Sequence, residues 1–245
     1  MASLPLIEVG TSQGPALVDW TAPAPGPVSG PMSGTVPGPM PGPVSGPVSG
    51  TAPFVMALTH GAGGTAAAPD LLAARDAAAG LGGGVALVTQ PYRVRGARAP
   101  GNAERQDEAW IEIMTWLRAQ QAWPAPLIVG GRSNGARVAC RTAAAVGARG
   151  VLALAFPLQP PARRSRGSGR VTFPPDRSPE LRAAAGGGAH VLVLNGDRDP
   201  FGIPPADEST EVVVLKGETH SLSKKPAAVT EAVAAWLSGV ALLVP

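Results

Sequence analysis

Cysteine is almost absent: Cys140 stands alone, so the chain forms no internal disulfide and holds no cysteine-rich metal site. A reducing, cytoplasmic setting is expected from that usage. Aromatic residues make up only 4% and charged residues 15% of the sequence, and just three of the 20 basic residues are lysines, Lys216, Lys224 and Lys225. The arginine-rich run 163–170 is short and carries no interleaved aromatics, which excludes a recognisable nucleic-acid module. Long apolar runs are missing too. The longest candidate, AVAAWLSGVALLVP near the end, is broken by Ser238 and Gly239, so no membrane span is expected. The opening MASLPLIEVG has no basic stretch followed by an apolar one, and no secretory signal is expected from it.

What is present is enough apolar material for one core. With 245 residues and 44% hydrophobic content, a single α/β domain is the natural reading. The net charge of +3 is unevenly spread: residues 1–59 hold only Glu8 and Asp19, so the basic excess lies beyond them and would favour an anionic substrate if it serves function at all. Gly (32) and Pro (28) are concentrated locally. Residues 26–50 run GPVSGPMSGTVPGPMPGPVSGPVSG, with glycine at every fourth position and not every third, which excludes a collagen triple helix. Nothing in that repeat buries enough surface to offset its ordering entropy, so 21–53 is expected to be a disordered insertion. Ahead of it, Leu6–Val9 and Ala16–Trp20 are expected to pair as a hairpin (residues 1–20) belonging to the main domain. Expanding the joining loop to about thirty residues would cost only about 2 kcal/mol of closure entropy.

From 54 to 245 short apolar runs alternate with helical stretches. Phe54–Leu58, Val85–Val88, Leu127–Val129, Val151–Phe156, Val191–Leu194 and Glu211–Leu215 are nearly continuous in apolar residues, as strands buried on both faces are. Between and after them lie expected helices at Asp70–Ala79, Glu104–Gln121, Asn134–Val146, a weaker Pro179–Ala185, and Pro226–Val240. The alternation predicts a mostly parallel sheet covered by helices on both faces.

The stretch Leu127–Ala136, LIVGGRSNGA, is a buried strand running into G-x-S-x-G and then a helix. That is the context of a nucleophile elbow, in which Ser133 takes strained dihedrals and Gly131 and Gly135 keep side chains out of the turn. A serine hydroxyl needs a base, and only three histidines exist. His190 begins a strand and His60 opens the turn HGAGG; both suit structural roles. His220, in the loop between the last strand and last helix, is the candidate base. The stretch Val191–Gly202, VLVLNGDRDPFG, offers Asp197 and Asp199 as partners for it; Asp199, further into the loop and stiffened by Pro200, is preferred, with Asp197 as a turn residue. The glycines of HGAGG allow backbone donors near a reacting carbonyl, which assigns the amides of Ala62 and Asn134 to an oxyanion hole, with His60 and Gly61 supporting the loop.

The pieces THGAGG, GGRSNGARVA, LNGDRDPFG and GETH in this order resemble the α/β-hydrolase superfamily, in particular its small lidless branch related to dienelactone hydrolase. They are especially similar to the α/β-hydrolase-like domain shared by a regulatory subunit of the NSL histone-acetyltransferase complex and a testis-expressed relative. The resemblance spans about 54–240 and excludes the tetrapeptide repeat. Dienelactone hydrolases proper are less similar, since they carry cysteine where this chain has Ser133. The resemblance implies an α/β-hydrolase fold and a Ser133–His220–Asp199 serine hydrolase, and also leaves open an interaction module in a protein complex.

The stretch between Phe156 and Leu181 is too short for a helical lid, so small soluble esters, thioesters or related acyl compounds are the expected substrates, with no cofactor and no metal. Tyr92, Arg93, Arg95 and Arg98 follow a strand on the edge expected to carry Ser133; they either meet a substrate carboxylate or phosphate or stay solvated. Arg132 is expected to point away from the nucleophile and pair with a structural carboxylate. No nucleic-acid or membrane partner is expected, and a protein partner stays unidentified.

Overall fold

A computed structural model describes residues 6–23, 52–120, 125–160, 162–164 and 170–242. The strands among them are β1 (Ile7–Val9), β2 (Ala16–Thr21), β3 (Val55–Thr59), β4 (Gly84–Thr89), β5 (Leu127–Arg132), β6 (Gly150–Leu154), β7 (Arg163–Arg164), β8 (Val171–Thr172), β9 (His190–Gly196) and β10 (Thr210–Leu215). The helices are α1 (Pro69–Gly80), α2 (Pro91–Val94), α3 (Ala103–Ala119), α4 (Asn134–Thr142), α5 (Ser178–Gly186) and α6 (Pro226–Leu242).

Eight strands form one sheet in the order β1-β2-β4-β3-β5-β6-β9-β10. The β1–β2 and β2–β4 pairs are antiparallel, and every pair from β4 to β10 is parallel. The predicted mostly parallel α/β fold is therefore the observed one. Alternation along each central strand sends side chains to two separate cores. In β3, Val55 and Ala57 join Trp110, Ile113 and Val138 on one face, while Met56 and Leu58 join Leu71, Val229 and Leu237 on the other. The same parity divides Val151 and Ala153 from Leu152 and Leu154 in β6. Strands buried on both faces have no polar side to show, which is why their sequences read as continuous apolar runs.

Most element limits fall within a residue or two of the expected ones. α4 ends at Thr142, short of Val146, but the chain goes on in turns, with the Val146 amide donating to the Thr142 carbonyl at 3.0 Å, until Gly147 at φ +58° closes it and the Ala148 amide turns back to the Ala143 carbonyl. β2 extends through Thr21, which pairs with Val85, one residue past the expected limit. The single turn α2 lies in a stretch that reads as loop; Pro91 at its first position presets the helical φ. The tetrapeptide repeat lies outside the described residues. On α4, Arg137 and Arg141 reach across to neighbouring helices, Arg137 to Glu180 of α5 at 2.6 Å and Arg141 to Asp107 of α3 at 2.7 Å. They hold the helix behind Ser133 in register with both neighbours.

Leu152 is fully buried in the central strand β6. Leu152→Ala should cost about 2–5 kcal/mol, read as a lower urea midpoint at unchanged slope; a midpoint within error of the parent would refute the two-core description.

Candidate active site

β5 delivers Ser133 to the carboxyl edge of the sheet, and α4 starts at the next residue. Ser133 adopts φ 53°, ψ −109°, outside the regions a serine normally takes. The neighbours show why glycine flanks it. A Cβ on Gly131 would sit 2.5 Å from the Thr59 carbonyl oxygen, and one on Gly135 would sit 2.5 Å from the same oxygen and 2.8 Å from that of His60. These are backbone atoms, so no side-chain movement relieves the clash. Gly61 approaches from the β3 loop, where a Cβ would lie 3.3 Å from the Ser133 Cβ. The amide of Ser133 is tied to the Leu154 carbonyl at 2.9 Å, which fixes the turn to β6.

Three sequence-distant side chains meet here. His220 Nε2 lies 2.9 Å from Ser133 Oγ, and His220 Nδ1 lies 2.8 Å from Asp199 Oδ2. A carboxylate on Nδ1 favours the proton there, which leaves Nε2 to accept from the serine hydroxyl. The Asp199 side chain is fully buried, and its Oδ1 accepts from the Phe201 amide at 2.9 Å. Phe201 also covers the His220 ring, with centroids 4.5 Å apart. Asp197 does not enter this set: its Oδ1 accepts from the Gly217 amide at 2.7 Å, a turn contact. His190 is exposed at the amino end of β9, away from the carboxyl edge.

The loops carrying His220 and Asp199 are bolted to each other and to the sheet. Asn195, fully buried, accepts from the Phe156 amide at 2.8 Å and donates to the carbonyls of Phe156 and Gly202, both at 3.1 Å. It thereby closes the Asp199 loop onto the end of β6. Gly196 lets the Glu218 backbone pass where a Cβ would stand 2.3 Å from its carbonyl oxygen, and the Arg198 amide donates to that oxygen at 3.0 Å. Glu218 itself is buried, with Oε1 accepting from the Lys225 amide. Leu222, two residues past His220, is fully buried at φ 46° and anchors the other side of the loop.

Arg132 points away from Ser133, as expected. Its Nε lies 3.0 Å from Oδ2 of the fully buried Asp70, off the hydrogen-bond axis, so the contact is mainly Coulombic; its guanidinium also donates to the His220 carbonyl at 2.9 Å. Burial pushes the Asp70 carboxyl up to about 6, although Arg132 and the Leu71 amide pull the other way.

His60 is buried beneath the loop. Its Nε2 accepts from the Gln90 amide at 3.1 Å and its Nδ1 faces the Gly61 carbonyl at 2.9 Å, an arrangement for neutral imidazole, and burial lowers its pKa. It braces the turn; the imidazole bonded to Ser133 Oγ is that of His220. The amide of Asn134 follows Ser133 in the chain and that of Ala62 lies in the loop whose Gly61 approaches Ser133; neither has an internal acceptor among the described residues. Tyr92 and Arg93, read as possible substrate contacts, are instead committed to this turn. Buried Tyr92 donates to the Ala62 carbonyl at 3.2 Å, and Arg93 donates to the Gly64 carbonyl at 3.0 Å. Arg95 donates to the Gln13 carbonyl, and Arg98 is exposed. Cys140 is buried and its thiol is pushed up by that burial, so it offers no competing nucleophile. Among the described residues no group of three His, Cys, Asp or Glu side chains is placed to hold a metal.

Asp70, Asn195 and Glu218 were not singled out from sequence. Asp70 reads as an ordinary first-turn acid; Asn195 alone carried a signal, as a polar residue closing an otherwise apolar strand.

The family model described as "Alpha/beta hydrolase domain" matches residues 52–232. No curated protein matches the chain. Among solved structures, a lidless α/β serine hydrolase from Xanthomonas campestris is similar at TM-score 0.65 and 18% identity, with all of both chains covered. An α/β serine hydrolase homologue from Coxiella burnetii is similar at 0.67 and 14%, covering 97% of this chain and 99% of that one. A dienelactone hydrolase from Anabaena variabilis is similar at 0.62 and 15%, covering 96% of each. At these identities the likeness is one of fold.

A carboxylate titrating higher in the folded chain than in the unfolded one stabilises the fold while protonated. The contribution of Asp70 is present below about pH 4 and is lost as pH rises through about 6. The gap from the ordinary 3.8 corresponds to on the order of 3 kcal/mol. Asp70→Asn should flatten the stability–pH curve between pH 4 and 6.5, measured by urea unfolding; an unchanged slope would remove Asp70 as its source.

Proposed function

Because the chain belongs to the alpha/beta hydrolase domain family, we propose that it is a serine hydrolase cleaving a small ester, thioester or related acyl compound with Ser133, His220 and Asp199. The observation carrying this reading is the pair of contacts at 2.9 and 2.8 Å that link the serine to the imidazole and the imidazole to the carboxylate. Ser133 Oγ attacks the acyl carbonyl while His220 Nε2 takes its proton. Asp199 keeps the ring in the needed tautomer and stabilises the imidazolium. The amides of Ala62 and Asn134 donate to the oxyanion, and their lack of internal acceptors is what leaves them available. The intermediate collapses as His220 returns the proton to the leaving group, giving acyl-Ser133. Water, deprotonated by His220, then releases the acid and restores the serine.

Several finer points accompany this reading. The hairpin β1–β2, which runs through Thr21, extends the sheet and belongs with residues 54–245 as one unit, so the insertion read at 21–53 begins after Thr21. The lone buried cysteine fits a reducing cytoplasm. The motifs shared with the NSL-complex subunit and its testis-expressed relative favour the lidless branch. An interaction module in a protein complex is the alternative, and it predicts an inert serine.

A fluorophosphonate probe should label the parent chain and not Ser133→Ala. Hydrolysis of short p-nitrophenyl esters should fall by about 10³-fold or more in Ser133→Ala and by about 10⁴-fold in Asp199→Asn, where the tautomer is wrong. Equal rates in parent and Ser133→Ala would hand the chain to the alternative.

A further inference from the structure

Ser133 and His220 are carried by strands that do not touch. Ser133 follows β5 and His220 follows β10, and β6 and β9 lie between those two strands in the sheet. No strand pairing therefore fixes one residue against the other. Yet a hydroxyl and an imidazole 2.9 Å apart tolerate little drift, since a misplacement of about 1 Å at a reacting group costs up to about 10²-fold in rate.

Arg132 spans the gap. Ile128 of β5 packs in the core beneath α1 and α6, and Arg132, four residues on, leaves the strand on that same face. There it meets Asp70 in the first turn of α1 and the loop that leads into α6. Its Nη2 donates to the His220 carbonyl at 2.9 Å and its Nε lies 3.0 Å from Asp70 Oδ2. Nη1 stands beside Gly61, 3.6 Å from the point a Cβ there would occupy. One planar group thus faces three segments: the start of α1, the loop after β3 and the loop carrying His220. Asp70 is fully buried and its Oδ1 accepts from the Leu71 amide at 3.1 Å, so the anchor is itself held. A pair of this kind adds little net stability, and its main effect is where it puts the groups bonded to it.

We propose that Arg132, anchored by Asp70, is a positioning residue that sets the distance between His220 Nε2 and Ser133 Oγ by fixing the His220 carbonyl against the segment carrying Ser133. Asp199 holds the imidazole ring, and Arg132 holds the main chain from which that ring hangs. From Ser133 the tie runs through one peptide unit, one arginine side chain and one hydrogen bond. Lysine does not replace it, because a single ammonium lacks the planar fork that serves a carbonyl and a carboxylate together. The effect on rate rests on the serine-hydrolase reading; the tie between the two segments does not. His220 moves a proton in both acylation and deacylation, so displacing it lowers kcat whichever half is slower. Ground-state contacts to the substrate are untouched, which leaves KM in place.

The test compares the full chain with Arg132→Lys and Arg132→Ala. On a short p-nitrophenyl ester, kcat should fall about tenfold or more in both, with KM within about twofold, as expected for losing a hydrogen bond from a charged group. Millimolar guanidinium should restore part of the Arg132→Ala rate, and sodium ion at the same concentration should not, because only the planar cation refits between Asp70 and the His220 carbonyl. Backbone hydrogen exchange over residues 217–223 should quicken about tenfold or more in both variants, while β3 and β6 stay as protected as in the parent. An unchanged kcat, a loss expressed only in KM, or exchange over 217–223 equal to the parent's would overturn the proposal, and Arg132→Lys alone decides this if Arg132→Ala does not fold. A parent that cleaves no ester and takes up no fluorophosphonate, with exchange over 217–223 still quickened in Arg132→Lys, would keep the tie and remove the serine-hydrolase reading instead.

Discussion

The carbonyl oxygen of Thr59 is the point about which the site is built. It occupies the space where both Gly131 and Gly135 would carry a side chain, at 2.5 Å from either ideal Cβ. With both side chains missing, the end of β3 and the start of α4 can pass each other at backbone contact. The consequences follow in sequence. Ser133, between the two glycines, is forced into an unusual conformation and out toward solvent. The loop leaving β3 comes within reach of it, with Gly61 against its Cβ. Ala62 follows Gly61 in that loop and Asn134 follows Ser133, so the two segments that the missing side chains allow together carry both residues.

Placing His220 is a separate problem, solved by tying loops instead of crossing strands. β10 is the edge strand of the sheet and β9 its inner neighbour. Their loops lean on each other. Asn195 holds the acid loop to β6, the Gly196–Glu218 approach holds the base loop to the acid loop, and Arg132 reaches from beside the nucleophile to the His220 carbonyl. Arg132 thus joins the nucleophile segment to the His220 backbone, and buried Asp70 is what keeps its guanidinium there. A buried ion pair is a poor source of stability, because desolvation offsets most of its attraction. Its use here is geometric: it sets where the His220 backbone lies.

Periodicity and punctuation made the fold readable. Continuous apolar runs bounded by glycine are strands only when helices cover both faces, so the runs around Val85, Leu152 and Leu192 specified a parallel sheet before any coordinates. Ser133, His220 and Asp199 were legible because each sits where a strand must end and the sheet's carboxyl edge must begin. Tyr92 and Arg93 misled for a physical reason. Sequence placed them on the correct edge, but direction is set by what accepts their hydrogen bonds, and here those acceptors are the carbonyls of Ala62 and Gly64. Asp70 was illegible for the same cause: a first-turn acid looks solvated until Arg132, far along the chain, is folded over it. Contacts of long sequence separation leave no local trace.

Where the fold departs from comfortable chemistry also bears on the choice between enzyme and binding module. Among the described residues the non-glycine positions with positive φ are Ser133, Ala155 and Leu222. Ser133 sits in the strand-to-helix turn, Ala155 follows the carbonyl that holds its amide, and Leu222 anchors the His220 loop. Strain of this kind costs about 1–3 kcal/mol per residue, so three such positions approach the about 5–15 kcal/mol by which a typical domain is stable. Buried Asp70 and Glu218, each with an oxygen lacking an aligned partner, add to that cost in the same neighbourhood. A scaffold that only displayed a surface to a partner would gain by relaxing every one of them, for its helices and outer loops would be unaffected. Their concentration around one hydroxyl and one imidazole favours a site kept for reaction.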